Sequence, residues 1–216
     1  THHASSAASD VYKRQPLEDA LGIDVHADLA QTLLERFNIY KLRSDVEIKE
    51  LEVTVALGLT DPPKGAFTDP RHPKLGWRLY SIDAEKFNQH INWTKLRVDY
   101  VIPEYGSELT GESYILEMGF ERLNGVDFKK GCYVGQEVTA RMKHKTELHK
   151  GLVKIGSEET LVNGEELFLN DKPIGSVLTV YDRSALAYVR LKNRDEILST
   201  KSTKRIFVDT NPISSN

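Results

Sequence analysis

An α+β fold ending in a small β-barrel is what the hydrophobic patterning of this chain predicts. Helix-spaced apolar residues recur in the first two thirds. Beyond His149 they give way to short apolar runs separated by turn residues, at the spacing of a barrel or sandwich. The 216 residues suffice for one sizeable domain or two modest ones. A composition of 39% hydrophobic and 28% charged residues is that of an ordinary globular chain.

The elements follow in order. Thr1 to Gln15 lack an initiator Met and carry Ala, Ser and His without hydrophobic period, so residues 1–15 read as a non-native leader. The chain then starts as if in mid-domain. Leu29, Leu33, Leu34 and Phe37 predict a helix over about Ala27 to Lys41. Val46 to Leu59 alternates and predicts one long strand or a hairpin. Asp61-Pro62-Pro63 and Asp69-Pro70-Arg71 punctuate a loop before a short strand at Trp77 to Tyr80. Helices are expected from Ala84 to about Asn92 and from Thr94 towards Val101, where Pro103 interrupts; Glu104 to Ser113 is a polar loop. After Gly135 another helix begins. Gly151 to Ile155, Glu166 to Leu169, Ile174 to Val180, Ala185 to Leu191 and Arg205 to Val208 are the expected barrel strands. The domains are therefore a core over 16–148 and a barrel over 149–216.

Composition excludes several classes. A net charge of −3 opposes nucleic-acid binding over the whole surface. No apolar run approaches the roughly 18 residues of a membrane span, so the chain is expected to be soluble, intracellular and without a membrane partner. One cysteine excludes an internal disulfide. Gly131 and Gly135 lead into Gln136 rather than Lys-Ser/Thr, which dismisses a phosphate loop. Cys132, His144 and His149 match no common zinc spacing.

That cysteine is the candidate for the chemistry, its alternative being an inert structural residue. Cys132 stands between two glycines, beside Lys129 and Lys130, just ahead of a helix start. Adjacent cations and a helix N-terminus favour the thiolate. Between Lys129 and Lys150 six Lys/Arg face two Glu, either a solvated helix face or a landing site for an anionic ligand or partner. A thiol enzyme would pair Cys132 with His144 or His149, at least two helical turns away. An iron–sulfur cluster needs about four ligands, so Cys132 could supply one ligand to a cluster shared with another protein.

Lys130-Gly131-Cys132-Tyr133-Val134-Gly135-Gln136-Glu137, followed by Arg141, resembles the signature of the YgfZ-type folate-binding family, which includes mitochondrial iron–sulfur assembly factors. Leu96-Arg97-Val98-Asp99, Ile102-Pro103 and Tyr105 to Leu109 resemble the folate-pocket pattern of the glycine-cleavage T-protein, which shares that fold. Asp69-Pro70-Arg71 and Ile174 to Val177 fit the same order, so the resemblance runs from about Pro16 to Val208. It implies a ring-like T-protein/YgfZ fold around tetrahydrofolate or a derivative, with the family's N-terminal part missing here. Asp99 falls where the T-protein places a pterin-facing Glu; its alternative is a helix-surface acid. Lys130, Arg141 and the helix start at Gln136 and Glu137 are candidate anion-binding groups. Tyr133 either stacks on a ring or packs, and Gln136 and Glu137 either bond folate or cap the turn. Arg97 could instead pair with Glu104 or Glu108.

The function so implied is that of an accessory factor, monomeric and without turnover of its own, supporting assembly or repair of iron–sulfur clusters. An A-type cluster carrier and client iron–sulfur enzymes, including those that modify tRNA, are its expected partners, with no direct nucleic-acid contact. The rival is a folate-dependent aminomethyltransferase, for which Asp99 is essential and Cys132 dispensable. The compartment expected is the bacterial cytoplasm, with the mitochondrial matrix as the alternative.

Overall fold

The computed structural model describes residues 12–16, 21–87, 89–129, 131, 135–145, 148–190, 192, 198–200 and 204–209. A hairpin comes first, β1 (Tyr12–Pro16) antiparallel to β2 (Leu21–Val25). It takes in Tyr12 to Gln15, which the composition had assigned to the leader. Helix α1 (Ala27–Tyr40) starts where the His26 side chain accepts from the Asp28 N–H, and it buries Leu29 and Leu33. The spacing of its apolar residues places it correctly to within a residue.

Two expectations fail in the next stretch. The long strand over Val46 to Leu59 shortens to β3 (Thr54–Gly58). Alternation marks a strand only where a partner exists, and β3 stands at the edge of a three-stranded sheet ordered β3, β5 (Trp77–Ser81), β4 (Phe67–Thr68). Upstream, Val46, Leu51 and Val53 remain exposed. The helix expected from Ala84 to Asn92 is a single 3₁₀ turn, Ala84–Phe87, which packs Ala84 against Ala56, Trp77 and Leu79. One buried apolar residue gives no helical stripe to propagate.

Helix α2 (Trp93–Tyr100) is capped by the Asn92 side chain, which accepts from the Lys95 N–H at 2.9 Å. It ends on Val101 in the left-handed region, φ 51°. That conformation costs a β-branched residue about 1–2 kcal/mol, whereas burying a valine returns about 1.5–3 kcal/mol. Val101 is 5% exposed and packs with Val98 on Leu186, so burial outweighs the strain. Arg122 closes the helix end, donating to the carbonyls of Tyr100 (3.0 Å) and Val101 (2.7 Å).

Helix α3 (Gln136–Lys145) leads into the barrel strands β6 (Lys150–Ser157), β7 (Glu166–Leu169), β8 (Lys172–Tyr181), β9 (Ser184–Arg190), β10 (Leu198–Thr200) and β11 (Arg205–Val208). The order β10-β11-β6-β9-β8-β7 closes on itself through pairing of β10 with β7. Ile155, Leu167, Val177, Ala187, Val189, Leu198 and Ile206 fill the interior. Strand alternation turns Leu152, Leu178 and Leu186 to the outside, where Val98 and Val101 cover them. Strand β10, with one apolar residue among three, has no strand signature and went unpredicted. Among the described residues no helix is long and apolar enough to cross a membrane.

Candidate functional site

The cysteine segment is framed by described residues on both sides. Lys130, Cys132 and Tyr133 lie outside the described residues. Ahead of them the Asp127 carboxylate accepts from the Lys129 N–H at 2.8 Å. Behind them Gly135 has φ 86°, a value that suits glycine alone, and its carbonyl accepts from both the N–H (3.3 Å) and the hydroxyl (3.2 Å) of Thr139. Thr139 is buried, and so fixes which face of α3 turns inward. Gln136 is half-buried in the first turn; Glu137 and Arg141 are exposed and share a face one turn apart. Lys143 holds α3 to the preceding segment, donating to Glu121 Oε2 at 2.8 Å with its ammonium 5.3 Å from the Phe128 ring. His144 and His149 are exposed.

Asp99 lies elsewhere, in the last turn of α2, where it meets the barrel. Its Oδ1 accepts from Lys154 of β6 at 2.9 Å and its Oδ2 from Lys95, one turn back on the same helix. Burial pushes the Asp99 carboxyl up, but the hydrogen bonds from Lys95 and Lys154 outweigh it and hold the group below the usual carboxylate range. The Asp99 side chain is 27% exposed, so the carboxylate remains accessible.

The alternative pairing anticipated for Arg97 is the one found. Its guanidinium binds Glu104 at 2.9 Å and the fully buried carboxylate of Glu108, and it also donates to the Ile102 carbonyl. Glu108 further accepts from the Glu104 N–H (3.0 Å) and from the Thr179 hydroxyl of β8. This network satisfies a buried charge from three sides and joins core to barrel.

A second charged cluster escaped the sequence reading. Arg78 of β5 pairs with Asp24 of β2 at 2.6 Å and faces Asp69 at 3.7 Å. Asp69, with no exposed side-chain surface, takes a two-pronged contact from Arg71 at 3.0 and 2.8 Å. The Tyr80 hydroxyl donates to Asp24 and receives from Arg78. Burial, reinforced by Asp24 against the opposing Arg78, pushes the Tyr80 hydroxyl up to about 12. The signal was present: Arg78 and Tyr80 alternate with apolar Trp77 and Leu79, a strand with one polar face. What meets that face is Asp24 of β2, the strand of the hairpin that follows the residues read as leader. Beside it His72, 7% exposed, stacks on Tyr100 at 4.6 Å, accepts from the Lys74 N–H through Nδ1, and has no partner for Nε2 among the described residues.

Among the described residues no three His, Cys, Asp or Glu side chains converge to hold a metal ion. No family model matches the chain. Curated proteins do. It is 30% identical over 168 residues to the mitochondrial iron–sulfur cluster assembly factor IBA57 homolog of Neurospora crassa, an alignment covering 64% of this chain and 38% of that protein. It is 29% identical to the mouse mitochondrial factor IBA57 (64% of this chain, 46% of that protein) and 27% identical to the human one (62% and 48%). Its homologues are iron–sulfur cluster assembly factors. The chain spans less than half the length of these three relatives. All three are named as mitochondrial, which favours the mitochondrial alternative over the bacterial cytoplasm.

Proposed function

We propose that this chain acts in the assembly or repair of iron–sulfur clusters in client enzymes of the mitochondrion, as an accessory factor that binds a folate. The observation that carries the cluster role is the similarity to the mitochondrial assembly factors. The cluster is cargo: Cys132 supplies one thiolate, and the remaining ligands come from a partner such as an A-type carrier. Client enzymes, including cluster-dependent tRNA-modifying enzymes, are the recipients.

The residues present fit a tetrahydrofolate. A pterin presents an amino group and a ring N–H on one edge, and a carboxylate accepts both at once. Asp99 is ionised, partly exposed and built into the end of a capped helix, as such a role requires. The anionic tail of a folate calls for cations, which Arg141 and Lys130 supply, with the first turn of α3 at Gln136 and Glu137. When bound, the folate would supply a reduced pteridine. The aminomethyltransferase reading rests on the same Asp99 but leaves Cys132 idle.

Replacing Cys132 by Ala in the gene of the source cell tests the proposal. A several-fold loss of activity in mitochondrial [4Fe–4S] enzymes, with cluster-free mitochondrial enzymes unchanged, is expected. Full activity in the Cys132→Ala cell would overturn the thiol's role, and full activity after deletion of the gene would overturn the cluster role altogether.

A further inference from the structure

Asp99 is not a bare carboxylate; a lysine ammonium stands at each end of it. The two lysines differ. Lys95 is a helix-surface residue whose side chain is 51% exposed, whereas Lys154 is 24% exposed and rises from the middle of β6. Its backbone there is paired with Leu186 of β9 and its carbonyl accepts from the Asp209 N–H at 2.9 Å. A group held by a closed barrel keeps its place with or without a ligand. The apolar contact of Val98 and Val101 with Leu186 fixes the distance between helix and strand, and so between Asp99 and Lys154.

We infer that Asp99 and Lys154 together form a three-point reader for a 2-amino-4-oxopyrimidine ring. The inference rests on the folate reading above and adds a residue to it. Along its edge such a ring presents two donors, the 2-amino group and the ring N–H, and then an acceptor, the 4-oxo group. A carboxylate followed by an ammonium presents two acceptors and then a donor, the complementary order. Neither interaction requires Lys154 to leave. An ionised carboxylate has about four acceptor positions, and an ammonium has three protons, so Lys154 can serve Asp99 and the 4-oxo group together. The reader discriminates because a ring with a 4-amino group would turn a donor towards the ammonium and a bare ring nitrogen, an acceptor, towards the carboxylate. The same edge occurs in pterins and in guanine, and the test separates the two.

Binding of folic acid, of its 4-amino analogue and of guanosine monophosphate is measured calorimetrically on the whole chain and on its Lys154→Met and Lys154→Arg variants. The wild-type protein is expected to prefer folic acid over the 4-amino analogue by at least about tenfold, on the order of one charge-assisted hydrogen bond. Lys154→Met lowers that preference several-fold by weakening folic acid alone, leaving the share that Asp99 reads at the ring N–H, and Lys154→Arg restores part of the loss. Equal weakening of both pteridines would mean that Lys154 only docks the barrel, and the inference falls. Tight folic acid binding indifferent to Lys154→Met would also defeat it, while leaving the folate reading intact. Guanosine monophosphate binding with the same Lys154 dependence, in place of folic acid, would keep the reader and remove the folate. Binding of none of the three ends both.

Discussion

Arg97 carries a full charge at 5% exposure, and the cost of that burial is met by Glu108, Glu104 and the Ile102 carbonyl. Removing one partner of a buried pair costs about 3–5 kcal/mol. Glu108→Gln is expected near the lower end, about 3 kcal/mol by urea unfolding, because Glu104 still reaches Arg97. His72 has the opposite character. Burial, with Arg122 and then Lys74 nearby, holds its imidazole below the ordinary value of 6.5. The unfolded chain therefore binds the proton first, and the folded state loses stability as pH falls from 6.5 through the lowered value. The variant His72→Phe keeps the stack on Tyr100 and has no group to titrate. Its unfolding midpoint should fall less steeply with pH across that window than the wild type's, and parallel curves would refute this account. Residue-scale chemistry was partly legible: Arg97 was offered Glu104 or Glu108 as partners and takes both. Asp99 was placed by resemblance, but nothing in the spacing announced that Lys154, 55 residues away, would bind it.

At the scale of elements, strands pack by close approach as much as by hydrophobicity. Gly175 of β8 faces Val189 of β9, and a Cβ there would lie 2.2 Å from the Tyr188 carbonyl oxygen and 2.8 Å from the Val189 Cα. Both are backbone atoms and cannot give way. Gly175→Ala should therefore destabilise by about 1–3 kcal/mol, the usual cost of overpacking. Gly156→Ala in β6 is its control, since the nearest atom would be 3.8 Å away, an ordinary contact. Chemical denaturation of the two variants checks the contrast, and equal losses would contradict it. The elements most faithfully legible were those with a repeating buried face, α1 and the long barrel strands. Those missed were short or depended on a partner. β4 has two residues, β10 has three, and the expected strand upstream of Thr54 found no neighbour to bond.

Across the whole molecule, α2 is the joint. Its apolar side covers the barrel wall at Leu152, Leu178 and Leu186, and two polar links flank that contact, Arg97 through Glu108 to Thr179 and Asp99 to Lys154. Core helix and barrel are thereby expected to open together. Native-state hydrogen exchange should give the amides of Val101 and Ile102, both bonded to the Arg97 carbonyl, the protection of β8 and β9. In the stretch 44–53, Val46 donates to the Ser44 carbonyl and Val53 to the Leu51 carbonyl, local bonds that tie them to no neighbouring strand. Its amides should exchange orders of magnitude faster. Early exchange of Val101 and Ile102 with that stretch would show that the joint opens separately.

The sequence by itself determined the periodic elements and the α+β order with a barrel at the C-terminal end. These follow from local rules: residues three and four apart share a helix face, and alternate residues share a strand face. Only the tertiary structure decided that Asp24 of the hairpin meets Arg78, that β10 closes the barrel, and that Lys154 meets Asp99. Each joins side chains distant in the chain, and long-range pairing leaves no periodic trace in the residues that make it.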